Sequence, residues 1–179
     1  MEQAKRRGKV IYSLAILAVV QIVVFGFSLA RQAGLSPPWP QAGDTFPETR
    51  IRRPSGGDAL LPSGTRTVLL VFHSTCGLCE KVAPAWMAWM EEAGQSWNVQ
   101  AVSSEPLGSA LAFSQRHGWD MEVGVVEGSE RGSRVWPFLS RTPWVFLVSG
   151  EGVILAEGHG ERLEELVSQA SLDANGVPF

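Results

Sequence analysis

From Val68 to Phe72 five successive residues are apolar. Their β-branched and aromatic content marks a strand covered on both faces. Val82, Trp86, Trp89, Met90 and Ala93 then recur at three- and four-residue spacings, which predicts a helix over Glu80 to Ala93 with one face in a core. Pro84 falls inside that pattern and is expected to kink the helix by removing a backbone donor. Val99, Ala101 and Val102 predict a strand over Trp97 to Ser103. Leu107, Ala110, Leu111 and Ser114 predict a helix over Pro106 to His117, with Gly118 as its C-terminal cap. Met121 to Val126 reads as another short strand. Trp144 to Val148 and Val153 to Ala156, joined by Ser149-Gly150-Glu151-Gly152, read as a hairpin. Leu163, Leu166, Val167 and Ala170 line one side of a final helix over Glu161 to Leu172. Upstream, Thr49-Arg50-Ile51 is expected to be a short edge strand, with Leu60 and Leu61 in a return strand beyond the turn Ser55-Gly56-Gly57-Asp58. Strands and helices alternate, so the pattern predicts an α/β domain: a central mixed β-sheet with helices on both faces.

The N-terminal pattern is of another kind. Lys5, Arg6, Arg7 and Lys9 precede Val10 to Ala30, an uncharged and mostly apolar run of 21 residues. At about 1.5 Å per residue such a helix spans ~30 Å, the thickness of a bilayer's hydrocarbon core. The run is read as one N-terminal transmembrane helix, and the basic flank keeps the N-terminus in the cytoplasm. A cleaved signal peptide is the competing reading, because Ser28-Leu29-Ala30 resembles a small-x-small cleavage site; the length of the run favours the anchor. On either reading the remainder is exported. The expected organisation is a basic N-terminus over 1–9, the anchor over 10–30, a Pro- and Gly-rich linker over 31–42, one globular domain over 43–172 and a tail over 173–179.

Composition narrows the function. With 179 residues and 45% hydrophobic content, the chain can build one ordinary core. The net charge of -3 and the confinement of dense basic residues to the extreme N-terminus give no support to nucleic-acid binding.

There are two cysteines, Cys76 and Cys79, and they sit where the first strand passes into the first helix. A loop that small removes little entropy from the unfolded chain, which disfavours a structural staple. A structural zinc site needs about four ligands, and only His73, His117 and His159 are available to join the two thiols. A redox dithiol is the favoured reading. At a helix N-terminus free N–H groups and the helix dipole stabilise an anion, so Cys76 is the candidate nucleophile and Cys79 the resolving thiol. His73 and Glu80 are close enough in sequence to be candidates for tuning the thiols. A non-enzymatic binding module or metallochaperone, using the same thiols with His73 or His159, is the alternative from another class.

Four features combine here: Gly43-Asp44-Thr45-Phe46-Pro47 opening the domain, Cys76-Gly77-Leu78-Cys79 after a strand, Pro84 five residues on, and Thr142-Pro143 just before the terminal hairpin. Over about Gly43 to Ala170 the chain resembles the thioredoxin-like superfamily, specifically the membrane-anchored thiol–disulfide oxidoreductases of the TlpA/ResA type. The resemblance implies a thioredoxin-like fold, a cis Pro143 facing Cys76, and a Thr142 backbone free to pair with an extended substrate segment. It also implies protein disulfides or dithiols as substrates, a membrane electron donor, and no cofactor beyond the dithiol. Reduction of protein disulfides during the maturation of exported proteins, such as c-type cytochromes, is the expected activity, in a bacterial periplasm or its equivalent. Ser-Thr-Cys-x-x-Cys is also similar to anchored proteins that assist methylamine dehydrogenase maturation. Thr75 stands where the family commonly has Trp, Leu78 where it commonly has Pro, and Leu70 where thioredoxin has a buried acid. No internal base for Cys79 is therefore expected at that position. The peroxiredoxin pattern PxxxTxxC is not supplied by the residues before Cys76.

Overall fold

The computed structural model describes residues 16, 17, 19–21, 39–93 and 97–176. The chain divides into two units, Met1–Trp39 and Pro40–Phe179. In the first, residues 16, 17 and 19–21 are helical and exposed; the rest of the expected membrane segment lies outside the described residues. Among the described residues no helix is long and apolar enough to cross a membrane.

In the second unit the elements run β1 (Thr49–Arg52), β2 (Asp58–Leu61), β3 (Thr67–Val71), α1 (Gly77–Ala93), β4 (Asn98–Ser103), α2 (Leu107–Arg116), β5 (Val123–Val126), α3 (Trp136–Leu139), β6 (Trp144–Val148), β7 (Ile154–His159) and α4 (Leu163–Gly176). A 3₁₀ turn, Gly160–Arg162, joins the last strand to the last helix. The strands form one mixed sheet in the order β2-β1-β5-β4-β3-β6-β7. Strand β3 is parallel to β4 and antiparallel to β6, and β4 is parallel to β5.

The position of β3 explains its composition. Every one of its residues is buried, because strands flank it on both edges and side chains cover it on both faces. Val68 and Leu70 point into a cluster with Val82, Trp86 and Trp89 of α1, Phe113 of α2 and Leu166 of α4. Leu69 and Val71 point into the opposite cluster, with Phe46, Phe138, Leu139 and Phe146. The long helices α1, α2 and α4 therefore share one face. Two successive right-handed crossovers, from β3 to β4 and from β4 to β5, step in the same direction and leave α1 and α2 on the same side. The chain then returns across the sheet to β6, which puts α3 on the other.

Three expectations change. Strand β1 is not an edge: it lies between β2 and β5, and the edges are β2 and β7. The short segment Thr49-Arg50-Ile51 is expected at an edge, but Ile51 is fully buried. A Cβ at Gly124 would come within 2.0 Å of Ile51 Cγ2, so the missing side chain is what lets β1 seat beside β5. Helix α3 was not anticipated, since four residues cannot display a helical period. Its Phe138 meets Phe46 edge-on at 4.7 Å between ring centroids, covering the face that the long helices leave open. Finally, α1 begins at Gly77 rather than Glu80, and runs unbroken through Pro84; α4 continues to Gly176, into the expected tail.

Gly124→Ala is expected to destabilise the fold by about 1–3 kcal/mol through overpacking against Ile51. Urea unfolding followed by tryptophan fluorescence reads this as a lower midpoint with an unchanged slope. An unchanged midpoint would mean that β1 can shift away without loss.

Candidate active site

The site is built where β3 ends. Phe72 N–H still bonds the Val102 carbonyl at 3.1 Å, so the chain leaves the sheet beside the end of β4. It then turns over His73–Thr75 and enters α1. The turn is closed by the Cys76 N–H on the His73 carbonyl at 3.0 Å, and the helix starts with the Glu80 N–H on the Cys76 carbonyl at 3.2 Å. Cys76 therefore occupies the position just before α1, and Cys79 the first turn. Both are free thiols; Cys76 is half-buried and Cys79 fully buried.

These positions divide the chemistry of the two sulfurs. The Cys79 N–H donates to Cys76 Sγ at 3.2 Å, and as a thiol Cys76 donates to the Thr142 carbonyl at 3.4 Å. Burial by itself raises the Cys76 pKa, but hydrogen bonds from the Cys79 side chain, from Thr142 and from the N–H groups of Cys79 and Leu78 outweigh it and hold the thiol below its usual range. Cys79 has the opposite balance. Burial, followed by its interaction with Cys76, pushes it up to about 12, against a lowering backbone hydrogen bond from His73. One sulfur is thus available as a thiolate, and the other is kept protonated until a neighbouring event changes its surroundings.

Thr142 and Pro143 come from the far side of the sheet, immediately before β6, and the peptide between them is cis. Because β6 pairs with β3 in the register Val71↔Trp144, the two residues preceding it are delivered to the end of β3. Their partner is Gly160, whose N–H bonds the Pro143 carbonyl at 3.2 Å and whose carbonyl accepts Trp86 Nε1–H at 2.9 Å. A Cβ on Gly160 would lie 2.6 Å from Trp86 Cζ2 and 2.9 Å from Pro143 Cβ. The absence of a side chain there is what packs the proline loop against α1.

The two candidate tuning residues behave differently. Glu80 turns away toward the end of α2, where it accepts from Arg116 at 2.8 Å and meets His117 Nε2 at 2.6 Å. Those partners, Arg116 first, hold its carboxyl below its usual range. Glu80 thus ties the first turn of α1 to α2. The His73 ring stays at the rim, with Nδ1 3.0 Å from Thr75 Oγ1; it is the His73 carbonyl that meets the dithiol loop, at the Cys76 N–H. His159 ends β7, where its Nδ1 accepts the Glu161 N–H at 3.4 Å. Among the described residues no three His, Cys, Asp or Glu side chains are grouped so as to hold a metal ion.

Sequence reasoning missed Glu105, a buried carboxylate beside the dithiol loop, together with Gly160 and Trp86. Glu105 was marked only by its place, an acid just past a strand that runs parallel to the cysteine strand. Gly160 and Trp86 carried no separate signal, since a helix-period tryptophan and a lone glycine before a helix both fit ordinary structural roles.

No protein-family model matches the sequence, and no curated protein matches it. Solved structures do. The thioredoxin domain of a thiol-disulfide oxidoreductase from Bacteroides vulgatus superposes with a TM-score of 0.63 at 15% identity, over 73% of this chain and 97% of that one. A thio-disulfide isomerase from Thermus thermophilus does so with a TM-score of 0.55 at 21% identity, over 78% and 100%. A peroxidoxin, BcpB, from Mycobacterium tuberculosis gives 0.56 at 13% identity, over 78% and 99%. The chain thus has a thioredoxin-like α/β fold, shared by proteins of more than one thiol chemistry.

Two outcomes follow from the geometry. Alkylation with iodoacetamide and peptide mapping should modify Cys76 alone, with a pH midpoint below the ~8.5 of an ordinary thiol, and leave Cys79 protected until the protein unfolds. Earlier modification of Cys79 would contradict the assignment. Gly160→Ala should lower stability by about 1–3 kcal/mol and also alter the Cys76 alkylation rate, because the forced shift passes through Pro143 to the sulfur. A loss of stability with an unaltered alkylation rate would show that the proline loop does not bear on Cys76.

Proposed function

We propose that this protein exchanges disulfides with exported proteins through Cys76 and Cys79, acting mainly as a reductase in their maturation. The observation that carries this reading is the asymmetry of the two sulfurs. Cys76, half-exposed at the start of α1, has a lowered pKa, while Cys79 beside it is buried with a raised one.

The chemistry follows from that asymmetry. The Cys76 thiolate attacks one sulfur of a target disulfide; the target S–S bond breaks, a mixed disulfide forms, and the departing target thiolate takes up a proton. Cys79 then loses its proton and attacks Cys76 Sγ. The Cys76–Cys79 disulfide forms as the second target sulfur leaves. The target gains two electrons and the protein's dithiol loses two, to be restored by a dithiol or membrane electron donor. Leu78, 47% exposed between the cysteines, offers an apolar contact to the target chain, and the Thr142 backbone lies beside the reacting sulfur. An extended substrate segment paired there presents its sulfur to Cys76.

The setting is proposed on sequence grounds. The uncharged run Val10–Ala30 after Lys5, Arg6, Arg7 and Lys9 supports a single-pass anchor, with the domain on the outer side of a bacterial cytoplasmic membrane. Clients such as c-type cytochromes are proposed from the resemblance to TlpA/ResA-type proteins. The peroxidoxin neighbour does not redirect the reading, because Leu69 and His73 stand where the PxxxTxxC pattern requires Pro and Thr.

Cys76→Ser is expected to abolish reduction of a model protein disulfide, followed as insulin precipitation. Cys79→Ser should complete only the first step and accumulate a mixed disulfide visible by intact mass. Undiminished turnover by Cys76→Ser would overturn the proposal.

A further inference from the structure

Glu105 takes no part in the exchange chemistry as described, yet its side chain is only 4% exposed. It lies two residues beyond the end of β4. Three donors converge on its carboxylate. The Ser74 N–H reaches Oε1 at 2.8 Å, the Ser103 hydroxyl reaches Oε1 at 3.0 Å, and the Ser74 hydroxyl bonds Oε2. Ser103 Oγ accepts the Glu105 N–H in return at 3.3 Å. An ionised carboxylate is an acceptor only, so all three contacts suit it, and a buried charge without such partners would be costly. Two of the three donors belong to one residue, Ser74, in the turn that leads to Cys76.

The Ser74 N–H and the His73 carbonyl are the two ends of a single peptide unit. That unit is planar, so its N–H and its carbonyl turn together and point to opposite sides. On one side the N–H is held by Glu105. On the other the carbonyl accepts the Cys76 N–H at 3.0 Å. Glu105 therefore reaches the reacting cysteine through one rigid group and two hydrogen bonds. The far end of the turn is fixed as well, by the Phe72 N–H on the Val102 carbonyl at 3.1 Å. With its backbone so placed, Cys76 brings Sγ to the Cys79 N–H at 3.2 Å and to the Thr142 carbonyl at 3.4 Å. If the peptide rotates, the Cys76 N–H loses its acceptor and the residue is free to swing off the start of α1. The sulfur then leaves the donor that favours its thiolate.

We infer that Glu105 is a positioning residue for Cys76: by holding the N–H of the His73–Ser74 peptide it fixes the carbonyl that receives the Cys76 N–H, and so keeps the reacting sulfur on the donors at the start of α1. The inference deepens the exchange reading proposed above and rests on it for the role of Cys76. The carboxylate works here by its reach and not by its charge. An anion near a thiol disfavours the thiolate, so the two effects have opposite signs.

That difference in sign makes the test. Iodoacetamide alkylation of the reduced full-length protein, followed against pH and mapped to Cys76, reads the thiolate. Glu105→Gln loses the charge but keeps an oxygen to accept the Ser74 N–H. Glu105→Asp keeps the charge and falls one methylene short. Glu105→Asp and Glu105→Ala should raise the Cys76 midpoint by about half a pH unit or more, a roughly threefold smaller thiolate fraction below the midpoint, while Glu105→Gln stays within about 0.2 unit of wild type. A charge effect, whether direct or through the His73 ring with its Nδ1 3.7 Å from Oε2, gives the reverse: Glu105→Gln and Glu105→Ala lower the midpoint together and Glu105→Asp matches wild type. That result overturns the inference. An unchanged midpoint in a folded Glu105→Ala protein overturns it too, leaving Glu105 a part of the scaffold alone. If Glu105→Ala does not fold, Glu105→Asp and Glu105→Gln decide the matter on the same midpoint. Insulin reduction by the wild-type protein, run alongside, keeps the two claims apart: its absence would defeat the exchange reading, whereas the midpoints decide the role of Glu105 toward Cys76.

Discussion

The structure depends on the burial of β3. Its five residues are shielded on both faces and both edges, which fixes their register against β4 and β6 and leaves little freedom in where the strand ends. The start of α1 is held to that end by one short turn, so the position of Cys76 follows from packing at residues that never meet a substrate. The pairing of β6 with β3 brings Thr142 and Pro143 to the same place, and the parallel partner β4 brings Glu105. Three segments far apart in sequence thus converge at one end of three adjacent strands, where sites in sheets of this kind are commonly found.

From this constraint the difference between the two thiols follows without any special group. A sulfur just before a helix meets free N–H donors; a sulfur three residues later is turned into the core and meets mostly apolar neighbours. Donors at the helix start therefore lower one pKa, while burial raises the other. A buried thiol with a high pKa protects the dithiol from idle reaction, but it also makes the second step the demanding one.

Much of this was legible in the sequence where the signal is local and repeated. The run Val68–Phe72, the helical period of Val82, Trp86 and Trp89, and the hairpin before Leu163 each reflect burial on a regular element, and each was found. The expected boundaries of α1 were late by three residues because Gly77 and Leu78 have no periodic mark. Strand β1 looked like an edge because its burial depends on a gap at Gly124, more than 70 residues away. Of the site, the cysteines and the Thr142-Pro143 pair carry motif signals. Glu105, Gly160 and Trp86 do not, since their roles arise only when β4, the 3₁₀ turn and α1 are packed together. Leu70 leaves the cysteine strand itself without an acid, as its sequence indicates; the structure places a buried carboxylate, Glu105, just beyond the end of the neighbouring strand.

The central claim is that Cys76 and Cys79 work as one coupled pair. An equilibrium redox titration of the purified full-length protein against dithiothreitol buffers, read by trapping free thiols and measuring intact mass, tests it most directly. The account predicts a single reversible transition in which both thiols disappear together, with the two-electron dependence of ~30 mV per tenfold change in the ratio of oxidised to reduced protein. Thiols that are lost separately, or that form no intramolecular disulfide under oxidising conditions, would contradict it.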